Sequence, residues 1–420
     1  MKRLATLLLA LAIAVPALLA QDAPTKIWTD ENTFPIMSWG PMDFVGEHAA
    51  DPEIYSGMKE CGITIAGFAT NDLQVQRAKE AGLKVFYGSF NSDIGRYDWL
   101  NPNVELWRQS YAPIVEKYKD DDTVLGYYVK DEPSYAELPG VFEVGTMFKE
   151  MAPNKVAYLN LYSNSTQSYH YEPDTYEQYV ERVFASDFPM TGFDQYNFYQ
   201  DGYIRTTMHS CLEIYRKLSL KYNKPWWYCA LSNQHRYYAK PNVTTLAYQA
   251  FSGLAYGAKG ISWFLYLPSN NPGWVNSPID NFLHRSPVWY DMQLVNLTIQ
   301  NYAHVLNHLR SDRVYHFGST VPSTDERVPG PDENSLIVSM ANTGNWLVGE
   351  FTHDVDGSRW LIIVNKNLQS AVECTPVWRK QPTSVACHSR GDHGMMPFNR
   401  KPNDSNIIEA GWGVLLKVDF

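Results

Sequence analysis

From residue 34 to about 310 the chain repeats one pattern, a short apolar run followed by a longer amphipathic one. The apolar runs lie at 35–39, 63–69, 84–87, 124–130, 156–161, 192–197, 226–230 and 261–266. They are rich in β-branched and aromatic residues and have the length of strands. Between them, 73–81, 105–119, 176–185, 204–220 and 244–256 carry apolar residues at helical spacing. Strand then helix, repeated eight times, predicts a parallel sheet closed into a (β/α)8 TIM barrel. An open doubly wound sheet is the alternative. It would place a Gly-rich phosphate loop after its first strand. The chain instead reads Ser38-Trp39-Gly40-Pro41-Met42 there.

A last barrel helix is expected at 287–309, and a Pro- and charge-rich linker at 320–334. Beyond it the period shortens to two. Alternating runs at 336–340, 346–351, 359–364, 372–377 and 414–418, broken by turns such as Asp356-Gly357, predict a small antiparallel β-sandwich. The expected division is therefore a leader at 1–20, a barrel at 21–312 and a β-sandwich at 313–420.

The leader reading rests on Lys2 and Arg3, the apolar run 4–14, and small residues ending at Ala20. It is too short to span a bilayer. The mature chain is expected to be exported, periplasmic or extracellular. Five cysteines, an odd number, leave at least one unpaired, and Cys374–Cys387 is the expected pair. A net charge of −10 and the lack of a long basic run argue against nucleic acid and anionic membranes as partners. Aromatic residues make up 14% of the chain, which suits either a sugar cleft or a ring-filled core.

In a barrel of this kind the chemistry sits at the C-terminal ends of the strands. Strand four ends Val124-Leu-Gly-Tyr-Tyr-Val-Lys-Asp-Glu-Pro133, where the proline stops the ladder. Strand alternation puts Tyr128, Lys130 and Glu132 on one face and Leu125, Tyr127 and Val129 on the other. Glu132 is the first candidate for a general acid, with Asp131 beside it raising its pKa. Asp194 on strand six is the second candidate carboxylate. Trp39, Asp43, Asn160, Tyr162, Tyr196, Asn197, Gln234, His235, Trp263 and Tyr266 complete the strand ends as candidate substrate contacts. A helix-capping role is the competing explanation for Asp131 and Glu132. His304 and His308 lack the Glu of a zinc-protease helix, so they read as an exposed pair. Cys387, His388 and His393 lack paired metal-ligand spacing and read as a loop. No metal or organic cofactor is implied.

Asp131-Glu132-Pro133 resembles the Asn-Glu-Pro that ends strand four in clan A (β/α)8 glycoside hydrolases. Gly260-Ile261-Ser262-Trp263-Phe264 is similar to the strand-eight end that carries their substrate-stacking Trp. Residues 30–420 resemble exported bacterial glycoside-hydrolase-like proteins with a DEP-bearing barrel and a C-terminal β-sandwich. The resemblance implies that Glu132 is the acid/base and that the substrate is a glycan. The chain departs from that family at strand seven, which ends Ala230-Leu231-Ser232-Asn233-Gln234-His235 without the nucleophilic Glu. Three routes then stay open. Asp194 acts as base or nucleophile; or Asp131–Glu132 resembles the Asp-Glu of substrate-assisted hexosaminidases, with help from Tyr196; or the barrel binds glycans without cleaving them. Sequence leaves the oligomeric state undetermined.

Overall fold

A computed structural model describes residues 27–40, 42–88, 98–269, 271, 273–318, 329–398 and 406–420. The expected leader at 1–20 and the side chain of Asp43 lie outside the described residues. So do most of the expected linker and the loop after the third strand.

Eight parallel strands close into a barrel in sequence order. They are β1 (Ile36–Ser38), β2 (Ile65–Ala69), β3 (Lys84–Tyr87), β4 (Val124–Asp131), β5 (Val156–Leu161), β6 (Thr191–Asp194), β7 (Trp226–Leu231) and β8 (Ile261–Phe264). Among the described residues eight α-helices pack outside, α1 (Pro52–Glu60), α2 (Asp72–Glu80), α3 (Val104–Tyr118), α4 (Leu138–Met151), α5 (Tyr176–Ala185), α6 (Met208–Tyr222), α7 (Val243–Ala255) and α8 (Pro287–Leu306). Local chemistry sets several helix starts. Asn71 accepts from the Gln74 N–H, Thr175 and Gln178 form a capping box, and Ser286 caps α8 ahead of Pro287.

The barrel interior is filled by rings. Trp39, Phe68, Phe86, Tyr128, Tyr158 and Trp227 are all nearly inaccessible and belong to one inner cluster. Phe68 meets Tyr128 at 4.8 Å and Phe86 meets Tyr158 at 4.7 Å between centroids. Much of the aromatic excess is therefore core.

The chain then forms a six-stranded antiparallel sheet of β9 (Leu309–Phe317), β10 (Trp346–His353), β11 (Arg359–Asn365), β12 (Ser384–His388), β13 (Met395–Pro397) and β14 (Gly413–Asp419), in the order β9-β10-β11-β14-β12-β13. Strand β9 begins at Leu309, ahead of the expected boundary at 312/313. One face of the sheet lies on α7. A Cβ on Gly349 would sit 2.2 Å from the Ala255 carbonyl oxygen, and one on Gly413 would sit 2.5 Å from the Phe251 ring. Only glycine lets helix and sheet approach this closely. On the other face, Glu350 accepts from the Tyr315 hydroxyl and the Leu336 N–H, beneath the ribbon of Ile337–Met340 and Pro376–Trp378. The fold is a TIM barrel followed by an antiparallel, sandwich-like β domain.

Two sequence expectations fail here. Cys374 and Cys387 are both free, as are the other three cysteines. Burial pushes both thiols up, Cys387 to about 11, so neither is poised as a thiolate. His304 and His308 are not an exposed pair. Both are half-buried where the end of α8 meets the C-terminal sheet.

Candidate active site

Strand β4 does not alternate to its end. Tyr128 pairs with Tyr158 and Asp131 with Asn160, but the register slips between Tyr128 and Lys130. Such a bulge places two neighbours on one face. Val129 and Lys130 both turn outward, and Lys130 reaches Glu137 at 3.5 Å. Asp131 thereby takes the inward position that unbroken alternation assigns to Lys130. Glu132 leaves the strand with φ of +44°, a left-handed conformation that a non-glycine residue ahead of proline rarely adopts. Strain of this kind costs about 1–3 kcal/mol and persists where the surroundings enforce it. Here the Glu132 N–H donates to the Asn160 carbonyl at 2.9 Å. The next cap is made by Ser134 with Glu137, so neither Asp131 nor Glu132 serves as a helix cap.

Three carboxyl groups converge over the barrel. The Asn160 side-chain amide donates to Asp131 at 3.0 Å and to Asp194 at 3.1 Å. The Glu132 carboxyl lies beside the Asp194 carboxyl, and Tyr196 lines the same cleft. Burial, then the charges of Asp194 and Asp131, holds Glu132 far above the usual carboxylate range. Burial and then Asp194 raise Asp131. Asp194 is raised by burial and partly restored by Asn160 and by Glu132 itself. Neighbouring buried carboxyls titrate together, and burial with the two nearby Asp charges favours the protonated form of Glu132.

These groups open into a cleft with a cavity volume of about 350 Å³. Trp39, Asn160, Tyr162, Tyr196 and His235 line it together with the three carboxyls. Burial lowers His235 to about 4, so its imidazole is neutral.

Four expected contacts are not in the cleft. Trp263 is turned outward, its indole N–H donating to Asn296 of α8 at 2.9 Å. On β8 the residues Ser262 and Phe264 face inward, so Phe264 lines the cleft in its place. Tyr266 is buried under α8, where its hydroxyl accepts from the Trp289 indole. Asn197 is fully buried and donates to the Tyr228 hydroxyl and the Gln195 carbonyl. Gln234 accepts from Asn276 in the ribbon that pairs Gln234–His235 with Trp274–Val275.

That ribbon supplies residues the sequence reading omits. Trp274 lies 4.8 Å from His235 and lines the cleft with Arg205, Arg236, Tyr237 and Tyr238. Arg205 is held by the Tyr196 carbonyl at 2.9 Å and by the Tyr199 hydroxyl. The run His235-Arg236-Tyr237-Tyr238 was the available signal. The loop that returns Trp274 to it has no local signature.

No protein-family model matches the chain, and no curated protein sequence matches it. Solved structures do. A β-galactosidase from the psychrophilic Marinomonas ef1 is similar at 10% identity and a TM-score of 0.50, over 66% of this chain and 62% of that one. The chain thus spans under two thirds of that enzyme's length. A glycoside hydrolase family 5 structure from Bacteroides vulgatus ATCC 8482 is similar at 11% identity and 0.53, over 92% and 89%. A further structure described as a glycoside hydrolase is similar at 10% identity and 0.54, over 93% and 96%. At these identities the likeness is one of fold: the eight-stranded parallel barrel is shared with glycoside hydrolases.

Proposed function

We propose that the protein is an exported glycoside hydrolase in which Glu132 is the general acid. The observation that carries this reading is the convergence of the Glu132, Asp131 and Asp194 carboxyls on one cleft at the barrel mouth. A leaving-group oxygen needs a proton donor still protonated at neutral pH, and a Glu raised by burial and by two neighbouring carboxylates meets that need. Tyr162, Tyr196, Phe264 and Trp274 offer ring faces for sugar C–H surfaces.

The second carboxylate of a two-carboxylate hydrolase stands about 5–5.5 Å from the acid when it retains configuration and about 6.5–9.5 Å when it inverts. Here Asp194 and Asp131 are tied together by the Asn160 amide, an Asp pair beside the acid. No other Asp or Glu among the described residues lines the cleft beyond Asp131. This favours the substrate-assisted route, in which a 2-acetamido group of the sugar supplies the nucleophile. Asp194, Asp131 and the Tyr196 hydroxyl orient that amide, while Glu132 protonates the departing oxygen. A non-catalytic glycan-binding barrel is the rival reading. The strained position of Glu132 among two other carboxyls speaks against it, since binding a neutral sugar requires neither feature.

The experiment is product release from a panel of polysaccharides and aryl glycosides, including N-acetylhexosaminides, by wild type and Glu132→Gln. Release by the wild type alone supports the proposal. Silence from both proteins, with glycan binding intact, supports the rival.

A further inference from the structure

His304 lies in the last turns of α8, His388 ends β12, and His393 sits in the turn between β12 and β13. Their spacing in sequence carries no metal signature. The fold nevertheless brings one ring nitrogen from each to within 4.8 Å of the other two. No ring stacks on another: the pairs meet at interplanar angles of 53°, 90° and 86°.

Hydrogen bonds fix which nitrogens are free. His388 Nδ1 faces the Ser389 carbonyl at 2.9 Å, and His393 Nδ1 faces the Asn301 carbonyl at 3.1 Å. A carbonyl only accepts, so each Nδ1 carries the proton and each Nε2 keeps its lone pair. That arrangement is how metal-binding imidazoles are oriented. His388 is 1% exposed, and its Nε2 is buried with no hydrogen-bond partner. A buried acceptor left unpaired is destabilising unless something occupies its lone pair.

Three imidazoles and no carboxylate suit a borderline transition metal and not Ca²⁺ or Mg²⁺, which take oxygen ligands. Zinc–nitrogen bonds of about 2.0–2.1 Å in a tetrahedron separate the nitrogens by about 3.3 Å. His393 is exposed in a turn flanked by Gly391 and Gly394, so it is the ligand with room to close that distance.

We propose that His304, His388 and His393 form a Zn²⁺ site that clips the last barrel helix to the C-terminal sheet. Helix α8 returns from the top of β8 toward the N-terminal ends of the strands, so the site lies at the opposite end of the barrel from Glu132. Its role is to hold the two domains together.

The test is Zn²⁺ titration of the full-length protein against a chromophoric chelator, with thermal unfolding alongside. One Zn²⁺ per chain is expected, with a rise in Tm. His304→Gln, His388→Gln and His393→Gln should each weaken binding at least about 100-fold and remove the Tm rise. The double variant His308→Gln/His353→Gln, at the same seam but outside the trio, should bind as wild type does. If the His388 variant does not fold, exposed His393 supplies the test. Wild type that binds no Zn²⁺ at tens of micromolar overturns the proposal. So does a His393→Gln variant with wild-type affinity, or loss of binding in the double variant.

Discussion

The Glu132 carboxyl, at the end of the fourth barrel strand, lies beside the Asp194 carboxyl at the end of the sixth. The two are neighbours because a bulge in β4 turns Asp131 inward and a left-handed turn then swings Glu132 over the cleft. Asn160, between them on β5, ties Asp131 and Asp194 into one cluster.

The raised pKa values of this cluster make stability depend on pH in a definite direction. The folded pKa of Glu132 lies above its ordinary value of 4.5, and those of Asp131 and Asp194 lie above 3.8. Once the pH rises past these ordinary values, the folded chain holds more protons than the unfolded one. Stability contributed by these groups therefore falls with rising pH. Thermal unfolding from about pH 5 to about pH 8 should show a steeper decline for wild type than for Glu132→Gln. Parallel curves would mean that Glu132 is not held protonated by folding.

Asp194→Asn removes the charge that, after burial, does most to raise Glu132. The alkaline limb of the kcat/KM profile should move to lower pH, and kcat should fall by about 100-fold or more. An unmoved limb would separate Asp194 from the acid.

Asn160→Leu removes the donor to both aspartates and should cost about 10- to 100-fold in kcat with little change in KM. The comparison that matters is the KM-against-kcat split, because a merely structural Asn would lower the amount of folded enzyme and leave both constants alone.

Trp274 and Trp263 should separate binding from stability. Trp274→Ala takes a ring from the cleft rim and should raise KM about 10-fold, with Tm nearly unchanged. Trp263→Ala empties a fully buried site against α8 and should cost about 3–5 kcal/mol in denaturant unfolding. The reverse pattern would put Trp263 back in the cleft.

The contrast between these two tryptophans shows what the sequence can carry. Barrel strands and helices were legible because their periods of two and 3.6 are local, as at 84–87, 156–161 and 176–185. The placement of Glu132, Asp131 and Asp194 at the cleft was legible because strand ends have a fixed meaning in this fold. The phase of a strand end was not. One bulge exchanged the facing of Lys130 and Asp131, and a four-residue strand put Phe264 where Trp263 was expected. Arg205, Trp274 and the His304–His388–His393 cluster depend on loops and on a domain contact. No residue pattern encodes such contacts locally.

The central claim is that Glu132 delivers a proton to the leaving group, and leaving-group dependence tests it most directly. Hydrolysis of aryl glycosides with phenols of graded acidity should be compared for wild type and Glu132→Gln. The account predicts a loss of about 10²- to 10⁴-fold on poor leaving groups that shrinks toward wild-type rates as the phenol becomes more acidic. A loss equal across the series, or no loss at all, would contradict it.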